Sequence, residues 1–175
     1  MSNDTILSKM LEYLERAKKV LEEDGYLQPT VFAYTNLASE NSILVLPVLQ
    51  EDETPPDLAL NVISKVLNAY NVSDYFVVSE SYIIADDTPQ DCINIVYVGT
   101  YTRRLLSLPF KHVTTSKEVF FGESVEIDPD NIEGSVLELF QLKSRTRKLT
   151  EKDKSEIRLL FPAHGSEDSH ENTLH

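Results

Sequence analysis

The sequence predicts an α+β domain, an antiparallel sheet of about five strands with helices packed on it, followed by a charged C-terminal tail. Three observations carry this expectation. An amphipathic helical pattern opens the chain. Short β-rich runs follow one another at hairpin spacing instead of alternating with long helices. The apolar periodicity ends near Leu142, and the composition beyond it is charged and polar. The expected organisation is one domain over 1–142, a charged linker or marginal helix over 143–161, and a disordered tail over 162–175.

Residues 5–24 repeat apolar side chains at helical spacing. Ile6, Met10, Tyr13, Leu14, Ala17, Val20 and Leu21 share one face. Ser2 or Asp4 is placed to cap the start and Gly25 to end it. Two strand candidates follow, TVFAYT at 30–35 and SILVLPVL at 42–49, joined by the polar NLASEN segment as a hairpin. Pro47 cannot donate a backbone hydrogen bond, so the second of these belongs at a sheet edge or ends there. Pro55 and Pro56 stand at the mouth of a helix over 57–70, with Leu58, Val62, Ile63, Val66 and Leu67 as its apolar face. Residues 74–85 and 91–98 read as two core strands joined by the acidic loop ADDTPQD. The second is expected to run on into YTRRLLSLPF as a long bent strand. KEVFFGESVEI at 117–127 is a further strand, DPDNIEG at 128–134 a turn, and 131–142 a short helix with Ile132, Val136, Leu139 and Phe140 on one face.

The resulting order, α-β-β-α-β-β-β-α, is similar to that of roadblock-like and profilin-like modules, which are scaffolding and binding domains. The resemblance covers the order of elements and implies a binding role. It assigns no site residue.

The formal charge is −13, and it is unevenly placed. Residues 1–142 hold 9 Lys and Arg against 23 Asp and Glu, a net of −14, whereas 143–175 hold 7 against 6. An acidic core argues against a duplex nucleic-acid-binding face, which requires clustered cations. The longest apolar run, ILVLPVL at 43–49, falls far short of the roughly 20 residues of a membrane helix. No secretory pattern opens the chain, and Cys92 is the single cysteine, which rules out an intramolecular disulfide. Together these features point to a cytoplasmic protein without a membrane partner.

No catalytic constellation emerges from the motifs. His112-Val113-Thr114 and His164-Gly165-Ser166 match the short pattern of two-histidine phosphoesterases, but the second lies in the tail, where nothing would hold it across a cleft from the first. Carboxylates gather at Glu80, Asp86, Asp87 and Asp91, and again at Glu123, Glu126, Asp128, Asp130 and Glu133. Loops and a helix start account for them without a metal, and no Asp/Glu-x-Lys pattern of the restriction-like nucleases occurs. Cys92 alternates with Asn94, Val96 and Val98 on one strand face, as an inert core thiol does. The basic run Lys143–Lys148 reads as a solvated linker or a segment folding back on the acidic core.

Glu80 stands apart, since FVVSESYII places it inside an apolar run. A buried carboxylate there needs a partner, which Arg103 or Arg104 could supply, and would then serve as a ligand-binding or catalytic acid in a groove; the favoured alternative is a strand-edge or solvent-facing residue. A binding groove would combine Glu80, Asp91, Arg103, Arg104 and Glu123. The expected function is a small acidic interaction module without catalysis or cofactor, whose partner is another protein with a basic surface. The alternative is a small metal-dependent hydrolase or nucleotide-binding protein using Glu80 and its neighbouring carboxylates.

Overall fold

The centre of the fold is one antiparallel sheet of seven strands, two more than the sequence predicts. The computed structural model describes residues 1–35, 42–48, 56–85, 88–113, 118–132, 135–145 and 148–163. In chain order the elements are α1 (Asn3–Asp24), β1 (Thr30–Thr35), β2 (Ser42–Pro47), α2 (Pro56–Ala69), β3 (Asp74–Ala85), β4 (Thr88–Val98), β5 (Arg103–His112), β6 (Val119–Phe121), β7 (Val125–Ile127), α3 (Ser135–Leu139) and α4 (Glu151–Leu160). Single 3₁₀ turns at Pro129–Asn131 and Leu142–Arg145 flank α3. The sheet order is β2-β1-β3-β4-β5-β6, with β7 also paired to β5.

Helices cover both faces of the sheet. On one face α1 lays Ile6, Met10, Tyr13, Leu14, Ala17 and Leu21 against Phe32, Phe76, Val78, Ile93, Ile95 and Leu106. On the other, α2 brings Leu60, Ile63, Val66 and Leu67 against Val31, Ala33, Val77, Val96 and Leu105, joined by Phe140 and Leu142. Two covered faces explain why β3 and β4 are apolar at consecutive positions instead of alternate ones. Each such side chain withdrawn from water contributes roughly 1.5–3 kcal/mol.

Helix α1 is built as its sequence indicates. Ser2 caps it by accepting from the Thr5 N–H, and Gly25 closes it in the left-handed region at φ 80°. Strand β2 is an edge. The Val48 N–H donates to Pro29 O toward β1, so alternation turns the Pro47 nitrogen to the unpaired side, where its missing proton costs nothing.

Five expectations need correction. The β4 strand does not run on into YTRRLLSLPF. It reverses at Gly99, whose N–H donates to Thr102 O, and β5 pairs back along it. A Cβ at Gly99 would collide with Tyr97 Oη, so the turn requires glycine. The ADDTPQD loop is shorter than expected, because Ala85 pairs with Thr88 and Asp91 lies within β4; Asp86 and Asp87 lie outside the described residues. The 117–127 strand is two strands. Phe110 pairs with Phe121 but Ser107 with Val125, so Gly122, Glu123 and Ser124 oppose only Leu108 and Pro109. That extra residue is a bulge, and it splits the strand. The apolar face of α2 uses Leu60 rather than Leu58, which is 55% exposed, or Val62. That helix is apolar on several sides, so periodicity alone did not fix its phase. The helix over 131–142 is cut short: Asp128 caps the first 3₁₀ turn and Ile132 is extended, so α3 begins only at Ser135.

The charged segment after Leu142 folds back on the α2 face. Lys143 Nζ donates to Val72 O, and Arg145 pairs with Asp57 at 2.5 Å and Glu138 at 3.3 Å. Thr150 and Asp153 form a reciprocal capping box that starts α4. Ile157, Phe161 and Ala163 pack on the α2-side core, so the expected tail start at 162 is too early by at least two residues. Residues 164–175, the rest of that tail and the site of His164-Gly165-Ser166, lie outside the described residues.

Candidate functional site

Alternation along β3 puts Phe76, Val78, Glu80 and Tyr82 on the α1 face. The first two lie beneath α1. Glu80 comes one step beyond, where the helix has ended and the chain turns toward β1. There Glu80 Oε1 accepts the backbone N–H of Leu27, itself a core residue. The carboxylate therefore satisfies a backbone donor in the α1–β1 connection, which no sequence pattern signalled.

Two titratable neighbours act on Glu80. Asp91 pairs directly opposite Tyr82 on β4 and is exposed. His112, at the end of β5, packs edge-on against Phe110 at 5.3 Å. Partial burial pushes the Glu80 carboxyl above the usual range; the Leu27 N–H and the nearby His112 oppose this, and Asp91 adds to it. The arrangement is a partly desolvated acid with a second carboxylate on the neighbouring strand, Asp91, and an electrostatic influence from His112, four positions along β5 from the residue level with Glu80. Among the described residues no group of three or more His, Cys, Asp or Glu is placed to hold a metal ion.

The expected arginine partners are elsewhere. Glu80 pairs with Ile93 and Ile93 with Leu108, whereas Arg104 pairs with Tyr97. That offset of four residues is roughly 13 Å along the strands. Arg104 instead forms a bidentate pair with Glu126, at 2.6 and 2.9 Å, and this holds Glu126 below the usual carboxylate range. Arg103 points to the other face and lines an open cleft of about 420 Å³ with Thr100, Tyr101, Asp128 and Asp130. Glu123 sits exposed in the β6–β7 bulge. The structure thus brings Glu80 and Asp91 to one neighbourhood and places Arg103, Arg104 and Glu123 in three others. Cys92 is fully buried, with its Sγ directed at Gln90 O.

The bulged edge carries a second feature. By register Phe120 and Val125 project from the face opposite α1, on either side of the half-buried Pro109, and are 65% and 55% exposed. Glu118 and Glu123 are exposed beside them, and Lys111 stands opposite Phe120. The only sequence signal was the FF pair in KEVFFGESVEI, where one ring packs inward and the other does not. No helix among the described residues is long and apolar enough to cross a membrane. No family model, curated protein or solved structure matches the chain.

Proposed function

We propose that this protein is a non-catalytic interaction module that docks a protein with a basic surface through its β6–β7 edge. One observation carries the reading. Phe120 and Val125 form an exposed apolar centre on a sheet edge, with the exposed Glu118 and Glu123 two positions from them in sequence and Lys111 opposite Phe120. Aromatic anchors within a polar rim are the usual anatomy of a binding patch, and the acid excess of the 1–142 region favours a basic partner. Cytoplasmic placement belongs to the same proposal. The test is affinity capture with the intact protein beside Phe120→Asp and Val125→Asp. Both side chains are exposed, so both variants should melt like the parent. A specific partner should be retained by the parent and lost by the variants; equal retention by all three refutes docking at this edge.

A second reading, a small hydrolase or nucleotide-binding protein using Glu80, draws on one observation. Glu80 is half-buried on the α1 face with Asp91 on the neighbouring strand, and burial raises its carboxyl, as a general acid requires. Saturation-transfer NMR with a nucleotide and phosphoester panel tests it, and signal lost in both Glu80→Gln and His112→Ala would favour it over docking.

A further inference from the structure

Three buried side chains in the middle of the sheet interrupt the apolar core of the α2 face. Ser79 on β3, Asn94 on β4 and Ser107 on β5 are direct cross-strand neighbours in one row. They are 4%, 1% and 1% exposed. The adjacent row on the same face is Val77, Val96 and Leu105, as apolar as a covered face requires. Among the described residues, Ser79 Oγ, Asn94 Oδ1 and Ser107 Oγ of this row have no hydrogen-bond partner. The amide of Asn94 is oriented by its own donor, since Nδ2 gives a proton to Ser81 Oγ. That leaves Oδ1 as an acceptor between two hydroxyls.

Buried polar groups are almost always satisfied, and leaving one unpaired costs its full desolvation. Three in one cross-strand row point to a shared partner. That partner must donate to Asn94 Oδ1 and exchange hydrogen bonds with both hydroxyls, which a carboxylate or an apolar guest cannot do. It must also be small, because the row is enclosed. Water meets each condition, with two donors and two acceptors. Ser81, half-buried and bonded to Asn94, provides the polar route toward solvent. We propose that the Ser79–Asn94–Ser107 row is an internal water-binding site, in which ordered water bridges the three strands at mid-sheet.

A high-resolution crystal structure of the full chain, with water-to-protein NOEs in solution, tests this. The expected result is ordered water within hydrogen-bonding distance of Asn94 Oδ1 and at least one of the two serine Oγ atoms, and a long-lived NOE to the Asn94 side-chain amide. Direct donation by Ser79 or Ser107 to Asn94 Oδ1 without water overturns it, as does a co-purified molecule in that density. The variants supply an independent arm. With water as the partner, the Ser79→Ala/Ser107→Ala double variant should melt closer to the parent than Asn94→Ala does. A fall as large as that of Asn94→Ala, or loss of folding, shows that the hydroxyls themselves satisfy Oδ1.

Discussion

Tyr70 and Phe161 are joined by a hydrogen bond in which Tyr70 Oη donates to Phe161 O at 2.7 Å; the same oxygen accepts the Ala163 N–H at 3.1 Å. One hydroxyl at the end of α2 thus holds the chain just after α4. Arg158 reinforces it by donating through Nε to Ala69 O at 2.8 Å. Tyr70→Phe removes the shared partner of two backbone groups and should cost about 1–3 kcal/mol. A chain ending at Leu142 keeps the sheet, α1 and α2 but loses Ile157 and Phe161. It should retain a single cooperative thermal transition at a lower temperature than the full chain. Differential scanning calorimetry checks both, and an unchanged melting temperature in both would mean that α4 contributes nothing to stability.

Glu80 gives a pH-dependent expectation. Its folded pKa lies above its unfolded value, so the folded state binds the proton more tightly. The stability this confers is present below the unfolded carboxylate pKa and is lost as pH rises through the folded value. Near neutral pH, ionised Glu80 is therefore a net cost. Glu80→Gln keeps an acceptor for the Leu27 N–H and removes the charge. It should raise stability near pH 7 by no more than about 1 kcal/mol, because water screens a partly exposed group. The gain should shrink as pH falls below the ordinary carboxylate range. Denaturant melts across that range measure it; a loss of stability at pH 7 would show that the charged hydrogen bond to Leu27 outweighs burial.

Gly99→Ala should destabilise the β4–β5 turn. The added Cβ would collide with Tyr97 Oη and lie 3.0 Å from Asp74 Oδ1, the two ends of a 2.5 Å hydrogen bond. Tyr97 cannot swing away, because its ring is 2% exposed and packed on Phe76 at 5.0 Å. Overpacking of this kind costs about 1–3 kcal/mol. A melt that matches the parent would place the Tyr97 ring in a different position.

Val66→Asp should leave no folded protein at ambient temperature. Val66 is 1% exposed on the inner side of α2, within the apolar cluster of that face. An unpaired buried acid costs several kcal/mol, against a domain stability of about 5–15 kcal/mol. Far-UV circular dichroism reads the outcome, and a native spectrum with an unchanged melt would put Val66 outside the core.

Elements whose pattern reports one covered face were legible in the sequence. The seven apolar residues read for α1 are the seven it buries. Pro47 marked the edge strand through its missing donor. What escaped were features set by register between distant segments. The β6–β7 bulge exists because Pro109 and Gly122 meet across strands, and neither residue announces this locally. The thread over 149–161 looked marginal because α4 fully buries no side chain, yet Tyr70 and Ala69, roughly ninety positions earlier, hold it and the residues after it through side-chain-to-backbone hydrogen bonds. For the candidate site, the apolar run around Glu80 marked that residue, whereas Asp91 falls at the end of the expected loop and joins its face only through the β3–β4 register. The partner of Glu80 was a backbone N–H, which carries no side-chain signature.

Duplex DNA should not be retained at about 0.15 M salt, where the screening length is about 8 Å. Retention rests on several Lys and Arg meeting phosphates together, and it weakens steeply with salt. The one clustered run in the sequence is 143–148, and two of its cations are already committed. Lys143 is bonded to Val72 O, and Arg145 is clamped between Asp57 and Glu138. Binding phosphate there would require breaking those contacts on a chain that is acidic overall. A gel shift at that salt with the full chain should therefore show free DNA. A basic protein partner should behave oppositely at low salt, with an association rate that falls as ionic strength rises. Tight DNA binding that persists when Lys143 and Arg145 are replaced by alanine would place a cationic groove elsewhere on the molecule and overturn docking of a basic partner as the main role of its acidic surface.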